Sequence, residues 1–332
     1  MSLSNALKYA QPGQTIFLKN GTYSGAKVER SVSGTADKNI NLVAESLSTD
    51  GTDGVVFTGE VRLTGSYWHV YGLYVKDSAG VGIQICGNYN TIEMCTVNHA
   101  ANSGIQISRE GGADNDAGRK GKLWPTGNLI KNCESFDNCD AGRNDADGFA
   151  AKLTCGEDNK FYGCISHNNI DDGWDLYAKP ATGSIGVVTI RNCIAFNNGT
   201  LTNGNSEANG DMNGFKLGGS NGKVPTPHFV FNCLAFNNGK DGFTDNGNGG
   251  ALTLMNCTSY NNVKTNFNFY RTTAGGTFFN LLSAAGNGTD KFIGKISNSI
   301  SFNSKKYYQV PFSITGTAVT SGQKLGTVVS DP

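Results

Sequence analysis

The chain has 332 residues, of which 45 are Gly, about twice the usual ~7% share, and only 16% are charged. Lys+Arg and Asp+Glu number 27 each, so no basic excess favours nucleic acid, and no apolar run approaches the ~18–20 residues of a membrane span. Hydrophobic content of 38% excludes disorder and the lack of a Gly triplet repeat excludes collagen, which leaves a turn-rich, β-rich globular protein.

In chain order, residues 3–10 place apolar side chains at helical spacing and are expected to form a short helix over an open end of the fold. Pro12-Gly13 then turns into the strand-like Thr15-Ile16-Phe17-Leu18, and Asn20-Gly21 reads as a turn. Met1-Ser2-Leu3 carries no signal-peptide pattern, so the chain is expected to start inside a larger precursor.

Beyond residue 60 one phrase recurs. Asn132-Cys133-Glu134-Ser135-Phe136-Asp137-Asn138 returns as Asn192-Cys193-Ile194-Ala195-Phe196-Asn197-Asn198 and as Asn232-Cys233-Leu234-Ala235-Phe236-Asn237-Asn238. Marker positions 73, 95, 133, 164, 193, 233, 257 and 299 are 22 to 42 residues apart, and the longer intervals are expected to carry inserted loops. A Gly followed by a large apolar residue comes next in each coil: Gly82-Ile83, Gly104-Ile105, Gly148-Phe149, Gly173-Trp174, Gly214-Phe215 and Gly242-Phe243. The usual marker-to-Gly offset is nine, with insertions before Gly148 and Gly214. Irregular repeat length with fixed strand register predicts an all-β parallel β-helix, in which equivalent residues stack ~4.8 Å apart. One solenoid domain over 1–332 is expected: cap and first strand in 1–24, regular coils in 60–310, a tail in 311–332.

The fourth residue after the marker (Asp137, Asn168, Asn197, Asn237, Asn261 among others) is expected to form a hydrogen-bonded Asn-type ladder. The residue before it gives a largely aromatic stack, and His99 and His167 are read as members of these columns. The nine Cys cannot all pair and show no Cys-x-x-Cys, so they are read as small buried apolar residues, with a local Cys133–Cys139 bridge left open.

Counting from each Gly locates a polar cluster. The residue before it is Asp147 in one coil and Asp172 in the next, preceded there by Asp171, and the residue two after it is Asp175 and then Lys216. Four carboxylates on two adjacent coils repel, and protonation, basic neighbours or a bound cation must relieve them. Oxygen donors without His or Cys suit a hard ion such as Ca²⁺. Lys216 stands directly beyond Asp175, and an insertion near 201–212 can wall a cleft.

Three stretches here, Asp145-Ala146-Asp147-Gly148-Phe149, Asp171-Asp172-Gly173-Trp174-Asp175-Leu176 and Asn213-Gly214-Phe215-Lys216-Leu217, resemble polysaccharide lyase family 9, the pectate lyases and relatives. The resemblance implies a right-handed β-helix and a Ca²⁺-dependent lyase acting on a galacturonate-containing acidic polysaccharide, polygalacturonate or rhamnogalacturonan. It puts the calcium ligands on Asp147, Asp171, Asp172 and Asp175 and the base that removes the C5 proton on Lys216. Lys152, Lys179 and Arg271 are candidates for holding neighbouring uronates. A secreted, periplasmic or cell-surface location follows from where the substrate lies, and a monomer is expected. The rival readings are a polygalacturonase-type hydrolase, whose Gly-His-Gly is absent here, and a non-catalytic carbohydrate-binding β-helix.

Overall fold

A coil of this chain turns corners because Asn, Asp and Gly accept left-handed backbone that other residues resist. In the computed structural model, which describes residues 1–111, 123–206, 209–303 and 306–308, the first corner of successive coils falls on Asn132, Gly163, Asn192, Asn232, Asn256 and Asn280, all at φ between 51 and 67°. The second falls on Asp137, Asn168, Asn197, Asn237 and Asn261, at φ between 51 and 55°. Between corners lie short strands, as in Asn159–Tyr162, Ile165–His167 and Trp174–Asp175.

Equivalent strands pair coil to coil into three sheets of 11, 12 and 10 strands, here A, B and C in the order each coil visits them. All named pairings are parallel except that of Lys306–Tyr308 against Ser299–Ser301. The parallel β-helix expected from the repeat is therefore the fold.

The column after the recurrent Gly faces the interior of sheet C. Phe149, Trp174, Phe215, Phe243 and Phe267 stack with centroids 4.6–5.2 Å apart. The Gly itself is needed for space: a Cβ on Gly148 would sit 2.0 Å from Ser166 Oγ. Phe136, His167, Phe196 and Phe236 stack on sheet B at 4.7–4.9 Å, so His167 is a ladder member as expected. All nine cysteines are free thiols, including Cys133 and Cys139, and eight are buried.

Two expectations are corrected. The expected column forms one rung, Asn261 Nδ2 donating to Asn237 Oδ1 at 2.8 Å, while the continuous amide ladder lies one residue beyond it, running Asn138, Asn169, Asn198, Asn238, Asn262 at 2.7–2.9 Å from Nδ2 to Oδ1. The left-handed corner leaves Asn237 and Asn261 exposed and carries the next residue into the interior. At its end Asn262 donates to Asn266, which stands where other coils have the Gly. The 42-residue interval between markers 257 and 299 is no loop insertion; it holds a further coil, Gly276–Phe279, Leu282–Ala284 and Lys291–Phe292, whose marker is the buried Leu281.

The helix Leu3–Tyr9, capped by Ser2 Oγ accepting from the Asn5 amide, seats Leu7 on the first coil and covers that end. The expected tail at 311–332 lies outside the described residues. Among those described, no helix is long and apolar enough to cross a membrane.

Candidate active site

Sheet C also has an outer face, and register sets which side chains meet on it. Two residues past the Gly, the row runs Gln84, Gln106, Ala150, Asp175, Lys216, Thr244, Asn268, each paired with the next. Asp175 and Lys216 are thus direct neighbours on adjacent coils, as the spacing required.

Asp147, Asp172 and Asp175 each offer a carboxylate oxygen within 4.8 Å of the others, and all three are buried. Two lysines clasp them. Lys152 Nζ lies 2.7 Å from Asp147 Oδ2 and 3.4 Å from Asp175 Oδ2. Lys216 Nζ lies 2.9 Å from Asp172 Oδ2, 3.5 Å from Asp175 Oδ1 and 3.3 Å from Asp211 Oδ2. Neighbouring groups hold the carboxylates in place. Ser103 Oγ donates to Asp147 at 2.9 Å, Asn213 N and Nδ2 donate to Asp172 at 2.7 and 2.9 Å, and the Tyr177 amide donates to Asp175 at 3.0 Å.

Asp171 is buried beside this group, but its Oδ1 accepts from the backbone amides of Asp211 and Met212, anchoring the loop that the insertion forms. That loop is pinned again where Thr202 N donates to Asp137 Oδ1 at 2.7 Å. It delivers Asp211, which pairs with both Lys216 and Lys240. Sequence reasoning saw the loop as a wall and did not see this fifth carboxylate, because an insertion has no register from which to place it.

The electrostatics express crowding. Burial, aided by Asp175 and Asp172, pushes Asp147 up to about 7, against the pull of Lys152. Burial and Asp175 take Asp172 to about 6 despite Lys216. Burial with Asp172 and Asp147 takes Asp171 to about 9. Burial opposes charge on Lys216, but Asp172, Asp175, Asp171 and Asp147 together outweigh it and hold the ammonium well above its ordinary range. An all-oxygen pocket of three buried carboxylates within 4.8 Å of one another fits a hard divalent cation.

The other candidates divide. Lys152 belongs to the carboxylate cluster itself. Arg271 lies further along sheet C, its Nε 3.0 Å from Asp245 Oδ1. Lys179 is half-buried and opens a turn whose Thr182 and Gly183 amides donate to its carbonyl.

Residues 1–287 match the family model described as the Pel9A-like, right-handed beta helix region. The chain is 47% identical over 274 residues to pectate lyase L of Thermoclostridium stercorarium, covering 81% of this chain and 21% of that one. It is 41% identical over 302 residues to pectate lyase L of Paenibacillus polymyxa, covering 88% and 65%. It thus spans about a fifth of the first relative's length and just under two thirds of the second's. Among solved structures, that of pectate lyase Pel9A superposes with a TM-score of 0.72 at 24% identity, covering 100% of this chain and 88% of its own. A rhamnogalacturonan lyase superposes with a TM-score of 0.62 at 21% identity, covering 90% and 82%. At these identities both likenesses concern the fold.

Proposed function

The chain belongs to the Pel9A-like right-handed β-helix family, and from that premise we propose that it is a calcium-dependent lyase that cleaves pectate, a galacturonate polymer, by β-elimination. The observation that carries this reading is the register pair Asp175 and Lys216, which sets one amine against a buried carboxylate triad. Pectate lyases among the relatives, at 47% and 41% identity, support it.

In this reading Asp147, Asp172 and Asp175 hold Ca²⁺, with Asp171 beside them. When bound, the ion neutralises the cluster and draws charge from the substrate carboxylate, which acidifies the neighbouring C5–H. Lys216 is the base. It takes the C5 proton as the free amine, so its ammonium must first be relieved of the surrounding negative charge. The electron pair left at C5 forms the C4–C5 double bond as the C4–O bond breaks. The leaving oxygen takes a proton from solvent, and the product is a 4,5-unsaturated uronide. Asp211 and Lys240 hold the Lys216 side chain on its loop side. Lys152 balances the far side of the cluster. A polymer of this kind lies outside the cell, so the protein acts there, secreted or periplasmic.

The test is to incubate the protein with polygalacturonate and with rhamnogalacturonan, with Ca²⁺ or with chelator, and to follow ultraviolet absorbance of the unsaturated product. A calcium-dependent rise on polygalacturonate is expected. A rise on rhamnogalacturonan alone would move the substrate, and new reducing ends without absorbance would indicate hydrolysis. No reaction on either polymer would overturn the reading.

A further inference from the structure

Beyond Lys216 along the outer face of sheet C, Tyr270, Arg271 and Lys291 form a cluster that the elimination chemistry leaves unused. Arg271 Cζ lies 4.8 Å from the Tyr270 ring centroid and Lys291 Nζ 4.6 Å from it. Tyr270 is 45% exposed, and its ring gathers the two cations at the surface.

Arg271 is aimed by a buried residue. Asp245 Oδ1 accepts from Gly247 N and Arg271 Nε, both at 3.0 Å, and its Oδ2 accepts from Arg271 N and Thr272 N at 2.7 and 3.1 Å. Arg271 Nη2 donates to Thr244 Oγ1 at 3.3 Å. Thr244 is the register partner of Lys216, so the guanidinium is tied to the residue one rung, ~5 Å of backbone spacing, beyond that lysine. None of these contacts uses the Nη1 edge. Lys291 pairs with Asn268, the partner of Thr244, and so stands three rungs, ~15 Å, beyond Lys216. It has no carboxylate at ion-pair distance among the described residues. On the other side of the triad the same row is neutral, Ala150, Gln106 and Gln84, and it reaches Arg62, whose guanidinium is held by Glu60 at 2.7 Å.

We infer that Tyr270, Arg271 and Lys291 form a subsite for free uronate carboxylates, one to three sugars from the scission point toward the C-terminal end of the helix. This rests on the lyase reading above. Tyr270 holds the two cations in place through its ring, and Arg271 and Lys291 take carboxylates by charge-assisted hydrogen bonds. Methyl esterification removes the charge these groups read. The enzyme therefore demands unesterified sugars on this side of the bond.

The experiment measures binding without turnover, in a Lys216→Ala background with Ca²⁺ present. Isothermal titration with hexagalacturonate and with its methyl ester is compared for the parent, Lys291→Ala, Tyr270→Ala and Arg271→Gln. The expected result is about ten-fold weaker binding of the free acid in each variant, little change for the ester, and a weaker salt dependence. Equal affinities for free acid in parent and variants, or equal losses on acid and ester, overturn the subsite. Lys291→Ala alters an exposed side chain and reads the subsite even where Arg271→Gln loosens its turn. Because no cleavage is needed, failure here is distinct from failure of the lyase reading.

Discussion

Lys152 Nζ lies 2.7 Å from Asp147 Oδ2, with both side chains buried and only five positions apart in sequence. The pair makes the carboxylate cluster tolerable without an ion. Removing one member of a buried pair costs about 3–5 kcal/mol, because the other is left uncompensated. Lys152→Met is therefore expected to lose that much stability in chelator at pH 8 and to regain part of it with calcium. Urea unfolding with and without Ca²⁺ measures both, and an unchanged midpoint in chelator contradicts the role given to Lys152.

Lys216 is expected to matter as a proton acceptor more than as a charge. Lys216→Ala should lower kcat by about 10²–10⁴-fold, the range of general-base contributions. Lys216→Arg keeps the positive charge but cannot give it up, since guanidinium does not deprotonate in proteins. It should be as inactive as the Ala variant while Ca²⁺ affinity, read by calorimetry, is retained. An active Arg variant would move the base elsewhere.

The ion-free protein should lose stability as pH rises. Asp172, Asp147 and Asp171, held at about 6, 7 and 9 chiefly by burial, keep protons that their unfolded counterparts release near pH 4. The folded state then binds more protons than the unfolded one from about pH 4 to about pH 9, so stability falls across that range and most steeply at its acid end. Lys152 and Lys216 stay charged in both states over this window. Calcium should reverse the trend, because it binds the ionised carboxylates. Thermal melts at pH 6.5 and 9, in chelator and in Ca²⁺, give the sign. A melting temperature in chelator that is no lower at pH 9 contradicts it.

His228 carries an acid liability. It is fully buried, accepts the Val188 amide on Nδ1 at 3.1 Å, and is pushed down to about 3 by burial. Its folded value lies below its unfolded one, so its stabilising contribution is present above about pH 6.5 and is lost toward pH 3. The loss is about 4–5 kcal/mol by the lower limit. The same column holds Asn90, Asn128 and Asn159, whose Oδ1 atoms accept the equivalent amides at 2.9–3.0 Å. His228→Asn should keep the acceptor and shift acid unfolding to lower pH. An unchanged acid midpoint would remove His228 from the account.

The sequence carried the coil architecture and the outer row of sheet C. A β-helix admits few registers, because a slip of one residue exchanges the inner and outer faces. The constant Gly offset was therefore enough to set Asp175 beside Lys216 and Phe149 beneath Trp174. Residues outside the repeat were less legible. The coil led by Leu281 lacks the Cys and was read as an insertion. Asp211 comes from a loop, and Lys152 folds back after its strand, so neither position follows from spacing. Tertiary structure decided which groups share the low-dielectric pocket: Lys152 and Lys216 on either side of the triad, Asp171 turned to the loop amides, and Arg271 aimed by Asp245. Strand register is a one-dimensional property that periodic residues encode. Side-chain convergence depends on how loops of different length close over a face, and burial then sets the charge each group can hold.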